Sequence, residues 1–168
     1  MSKRIILDRR IVDDPWQIVL VGQAIPQDGD LVVPLDAWLS RRDALQGRSG
    51  RTGVWLKPDD EPAELAAHIA SLPLIAVQFP QFADGRGYST ARLLRQRHRY
   101  QGELRAIGEV LRDQLFYLAR VGFNAFEIAA GKSIEDALAG LGDFSDAYQG
   151  AVDQPLPAYR RRPEGARP

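Results

Sequence analysis

From Gly53 onward, short apolar runs alternate with stretches whose apolar residues recur at helical spacing. The apolar runs are "GVWLK", "LIAVQF", "ELRAIG" and "NAFEIA". Between and after them lie "DDEPAELAAHIASL", "YSTARLLRQRHR", "EVLRDQLFYLARVG" and "SIEDALAGLG". A strand that reaches its successor through a helix pairs with it in parallel, and strands apolar on both faces are covered on both sides. The pattern predicts an α/β domain of four consecutive βα units forming a parallel sheet. Its strands are expected near 53–57, 74–79, 103–107 and 124–128. Punctuation agrees with this reading. Pro62 follows three acidic residues where a helix begins, Gly122 closes a helix, and Ser133 caps the last one ahead of Glu135 and Asp136. Two closures remain open: a flat open sheet with helices on both faces, or a half-barrel-like curved sheet.

The first fifty residues are less regular. "RIIL" and "WQIVLVG" read as short N-terminal strands, with "DDP" as the turn between them. "LVVPLDAWLSRRDAL" reads as an extended piece followed by a helix with Leu35, Trp38, Leu39 and Leu45 on one stripe. The expected organisation is one domain over 1–152, irregular over 1–50 and built of βα units over 51–152. A proline- and arginine-rich tail, 153–168, is expected to be disordered.

Composition excludes several chemistries. The 168 residues contain no cysteine, so disulfides, thiolate-bound metals, cysteine-ligated clusters and covalent haem attachment through thiols are all impossible. The two histidines, His68 and His98, lie apart, no HExxH pattern occurs, and no metal site is expected. The N-terminus lacks the apolar core of a signal peptide and no run is long enough to span a bilayer, which predicts a cytoplasmic protein with no membrane partner.

Net charge is zero but unevenly spread. Residues 85–112 carry 7 basic and 2 acidic groups, whereas 113–153 carry 2 basic and 7 acidic. A short basic segment without interleaved aromatics argues against a nucleic-acid track and suits a small anion or an acidic protein surface.

In parallel α/β sheets, ligand groups collect on the loops after the strands. The second and third units place "PQFADGRGYS" and "GEVLRDQ" there. Arg86, Ser89, Arg105 and Arg112 are the candidate anion-binding residues, since bidentate guanidinium groups and helix N–H groups hold oxyanions. Asp84, Gly85, Gly87, Tyr88, Asp113 and Gln114 are the supporting set, the glycines allowing close backbone approach. The competing reading is a tight turn in which Asp84 bonds its own backbone and Arg86 is solvated. "GRG" lacks the third glycine of a dinucleotide loop and the Lys–Ser/Thr of a phosphate loop. Arg92, Arg95 and Arg99 share one helix face, either as a docking face for an acidic partner or as a solvated face.

"FPQFADGRGYSTARLLRQR", "GELRAIGEVLRDQL" and "RVGFNAFE" together resemble the DUF934 family of bacterial proteins, over roughly residues 50–150. Family members typically sit beside genes of sulfite reduction and sulfate assimilation, and an oxidoreductase role in that pathway is attached to them. The resemblance implies a role in assimilatory sulfite reduction and carries over no catalytic residue. Asn124 departs from the aspartate commoner at its position. Since the chain lacks the cysteines of a cluster or dithiol, the expected role is an accessory. It would bind a small oxyanion, a sulfite reductase component or an electron-carrier protein. An enzyme acting on a small anionic substrate, or using a non-covalent flavin, is the alternative. Against a flavin, the first βα turn, "GVWLKPDDEP", is acidic and offers no phosphate loop.

Overall fold

The computed structural model describes residues 3–161. Eight strands make one sheet: β1 (Arg4–Leu7), β2 (Arg10–Asp13), β3 (Trp16–Ile18), β4 (Asp30–Pro34), β5 (Thr52–Leu56), β6 (Leu74–Phe79), β7 (Glu103–Gly108) and β8 (Ala125–Phe126). The α-helices are α1 (Leu35–Gln46), α2 (Arg86–Gln96), α3 (Leu115–Val121), α4 (Ile134–Gly140) and the one-turn α5 (Ala158–Arg161).

The sheet order is β2-β1-β8-β7-β6-β5-β4-β3. From β3 to β8 each strand adds in parallel beside the last, always on the same side. Right-handed crossovers that never reverse direction leave all their connections on one face. The core divides accordingly. Trp38, Leu94, Leu115 and Ala137 pack from the helices onto Val33, Val54, Val77 and Leu104. The other face of the same strands carries Trp16, Val32, Trp55, Leu74, Ala76 and Ile107 as a smaller inner cluster.

The sheet is mixed, which corrects the expectation of a purely parallel one. β1 lies antiparallel to β8, with Ile6 opposite Phe126, and β2 lies antiparallel to β1. Asp8 and Arg9 make the hairpin turn with φ of 47° and 62°. Two left-handed residues are what a two-residue hairpin loop needs, but Asn-Gly, not Asp-Arg, is its usual sequence signal. The expectation of four βα units also needs correcting. The segment after β5 is two 3-10 turns, Pro62–Leu65 and Ile69–Ser71, instead of a helix. His68 breaks the run at φ −126° and ψ −2°. There its Nε2 accepts a hydrogen bond from Arg42 at 2.7 Å and its ring meets Trp38 edge-on at 5.5 Å. Tertiary contacts thus override local helix propensity.

The sheet is open but strongly curled, as in the half-barrel alternative. β2 and β3 form its two edges, yet only Asp14 and Pro15 separate them in the chain. Three Cα–Cα steps reach at most about 11 Å, whereas the edges of a flat eight-stranded sheet stand about 34 Å apart. One extended run, Arg10–Ile18, therefore pairs with β1 through its first half and with β4 through its second, drawing the edges together.

After α4 the chain folds back. The Val152 amide donates to the Arg120 carbonyl, and Arg161 pairs with Asp146 at 2.7 Å. Residues 162–168 of the expected tail lie outside the described residues.

Candidate functional site

The loops after β6 and β7 are neighbours, held by backbone. The Glu109 amide donates to the Phe79 carbonyl at 2.8 Å, and Gln114 Nε2 donates to the Phe82 carbonyl at 3.4 Å. Gly108 makes this approach possible: its φ is 95°, and a Cβ there would run into the Phe79 carbonyl. At Gly87 a Cβ would enter the Phe79 ring, so α2 can lie against β6 only with glycine there. Tyr88 packs edge-on against Phe79. Burial pushes its phenol above the usual value, with Gln114 opposing.

The rim these loops form is charge-paired. Asp84 bonds the backbone and side chain of Arg86, with Oδ1 accepting from the Arg86 amide at 3.2 Å and Oδ2 from its guanidinium at 2.6 Å. Asp59 binds the same guanidinium. The Arg86 side-chain bond holds Asp84 below the usual carboxylate range. Arg112 is forked onto Asp143 at 2.7 and 2.9 Å, with Asp136 at 3.2 Å. Asp113 is exposed beside it. Ser89 is exposed on the outer side of α2, away from this pairing.

Arg105 does not reach the rim. It points from the middle of β7 onto the inner face, 1% exposed, between Ala76 and Ala125 on the adjacent strands. Two small neighbours leave room for a guanidinium. It donates to Glu103 at 2.7 Å and to Asp14 at 2.9 Å. Lys3 continues the series, 3.7 Å from Asp14 and 2.7 Å from Glu127. The result is an alternating chain of five charges, Glu103, Arg105, Asp14, Lys3 and Glu127, inside the curl of the sheet. Burial pushes Glu103 above the usual carboxylate range, with Arg105 opposing. Nothing in the sequence signals this chain, because its members come from three distant segments.

The arginines of the expected docking face also separate. Arg95 turns inward and donates to the carbonyls of Gly122 at 2.9 Å, Tyr100 at 2.7 Å and Gly102 at 2.9 Å, and to Asn124 Oδ1 at 3.2 Å. Burial pushes its pKa down. Asn124 in turn accepts from the Leu104 amide at 2.8 Å and donates to Asp8 at 3.0 Å, a bond an aspartate could not make. Arg92 and Arg99 stay exposed, and Arg97, off their shared helix face, is exposed as well. Ser89, Arg92, Leu93, Gln96 and Arg97 line a groove of about 490 Å³. Among the described residues no carboxylate lies within 4.0 Å of Arg92, Arg97 or Arg99. The Arg92 guanidinium donates to Gln96 Oε1 at 2.9 Å.

Among the described residues there is no cluster of three or more metal-ligating side chains, and no helix is long and apolar enough to cross a membrane. No protein of curated function matches the chain. The model of a family described as bacterial protein of unknown function (DUF934) matches residues 53–159, from the second residue of β5 into α5. That span holds the paired rim, the buried Arg105 and the arginine-lined groove, and the chain belongs to the DUF934 family.

Proposed function

We propose that this chain is a cytoplasmic accessory protein of assimilatory sulfite reduction. It docks an acidic sulfite reductase component or electron-carrier protein on the outer side of α2. One contrast carries the reading. The rim arginines Arg86 and Arg112 each already hold two carboxylates, while Arg92, Arg97 and Arg99 hold none among the described residues. A small oxyanion at the rim would have to displace Asp84 and Asp59, or Asp143 and Asp136. An acidic surface meeting α2 has no carboxylate to displace from these three arginines among the described residues. Leu93, 41% exposed between these cations, adds an apolar contact to a charged rim, the composition of a transient protein interface. Sulfite reduction enters through the resemblance of the motifs, and the docking chemistry through the helix.

A complementation experiment tests this. In a host lacking the protein, the triple variant Arg92→Glu/Arg97→Glu/Arg99→Glu is expected to fail to restore growth on sulfate as sole sulfur source. Arg86→Ala is expected to restore it. Restoration by the triple variant and failure of Arg86→Ala would favour a small-anion site at the rim instead.

A further inference from the structure

Beyond the rim and α2, the structure holds a second concave site, at the ends of β3 and β4. A groove of about 430 Å³ lies between the 19–29 loop and α1. That volume is in the range of small-ligand sites. In parallel α/β folds, the C-terminal ends of strands are where such ligands bind.

The loop is fastened, yet it leaves apolar surface uncovered. Trp55 Nε1 donates to the Val19 carbonyl at 2.9 Å, and the Leu20 amide donates to Gln23 Oε1 at 2.9 Å. At its far end, Arg48 donates to the carbonyls of Pro26 at 2.9 Å and Gly29 at 3.0 Å. Despite this anchoring, Leu20 is 55% and Val21 56% exposed at the lip of the groove. Burial of either would remove apolar surface from water, and nothing among the described residues does so. Ile25, Pro34 and Ala37 complete the apolar wall.

The polar groups are few and carry a sign. Asp36 is countered by Lys57 at 3.7 Å and also accepts from the Ala37 amide at 2.9 Å. Arg41 lines the groove and has no carboxylate within 4.0 Å among the described residues. It sits where α1 leaves helical geometry, at φ −128° and ψ 19°. The groove therefore presents one uncompensated guanidinium beside an apolar wall. From this we infer that it binds a small amphipathic monoanion, a carboxylate with an aliphatic or aromatic body. The body covers Leu20, Val21 and Ile25, and the carboxylate meets Arg41.

Hexanoate, hexanamide and hexylammonium share the apolar body and differ in charge, so they separate the two contributions. Titrated into the ¹⁵N-labelled full chain, hexanoate is expected to shift the amides of Val21, Ile25, Ala37 and Ser40 saturably, with Kd on the order of 1 mM for so small a probe. Hexanamide is expected to bind about five-fold more weakly, the worth of one solvated charge contact, and hexylammonium more weakly still. Arg41→Gln should bring hexanoate and hexanamide to equal affinity. Val21→Ser should weaken both, and each variant should keep the wild-type amide spectrum away from the groove. Absence of saturable shifts by 50 mM (a ceiling of about fifty times the expected Kd), or shifts confined to other regions, would overturn the site. Equal binding of hexanoate and hexanamide by the wild type would overturn the anionic assignment and leave an apolar docking groove.

Discussion

Replacing Arg105 by methionine keeps the buried stem and removes the guanidinium. The variant leaves Asp14, whose side chain is fully buried, facing Glu103, 15% exposed, with the shared cation gone. Removing one partner of a buried ion pair costs about 3–5 kcal/mol, because the remaining charge is stranded in a poorly polarisable interior. Total stability of an ordinary domain is about 5–15 kcal/mol. At about 2–4 °C per kcal/mol for a chain of this size, Tm should fall by about 6–20 °C. The loss should depend on pH. In the wild type, burial raises Glu103 and Arg105 opposes that rise through both charge and hydrogen bond. Without Arg105 its folded-state pKa climbs further above the unfolded value near ~4.3. A carboxyl raised on folding contributes stability that is full below the unfolded pKa and lost as pH rises through the folded one. The Tm deficit of Arg105→Met should therefore be smaller at pH 5 than at pH 8, and Glu103→Gln added to it should recover part of the pH 8 loss. Thermal melts followed by circular dichroism read all of this. A Tm within about 2 °C of wild type at both pH values, well under the predicted shift, would show that the inner charges are solvated in the folded protein.

Arg95→Ala should cost about 2–3 kcal/mol, since three carbonyls and an amide oxygen lose a charged donor, and Arg95→Lys should rescue little because an ammonium lacks the planar fork. Chemical denaturation measures both. Gly108→Ala should cost about 1–3 kcal/mol, from a left-handed φ and the clash with the Phe79 carbonyl. It should also loosen the rim, seen as faster hydrogen exchange at Glu109.

The middle of the fold was legible because strand and helix periodicities differ there. "LIAVQF" and "ELRAIG" coincide with β6 and β7, and "YSTARLLRQRHR" covers most of α2. β2 was missed because Arg-Ile-Val-Asp is four residues long and polar at both ends, and its pairing with β1 depends on a turn without glycine. Curvature is not legible in the sequence because it depends on which strands become edges, a long-range outcome that Arg10–Ile18 settles in space. At the site, proximity of the two loops followed from strand order, but the partners of each arginine did not. Asp59, Asp143 and Asp14 lie 27, 31 and 91 residues from the arginines they bind. Helical spacing grouped Arg92 with Arg95, yet Arg95 turned inward because helix α3 ends beside it at Gly122, whose carbonyl needs a donor. A wheel drawn on α2 alone cannot contain that neighbour.

Under the proposed function, the arginines on and just after α2, which meet no carboxylate among the described residues, dock an acidic partner. Surface plasmon resonance with the immobilised haemoprotein component of assimilatory sulfite reductase tests it most directly. The account predicts saturable binding whose association rate falls steeply between 50 and 300 mM salt (ionic strengths over which the screening length drops from about 14 to about 6 Å). It predicts loss of that binding in Arg92→Glu/Arg97→Glu/Arg99→Glu and its retention in Arg86→Ala. Binding that ignores salt and survives the triple charge reversal, or no binding by the wild type at low salt to either the haemoprotein or the reductase's electron-carrier protein, would contradict it.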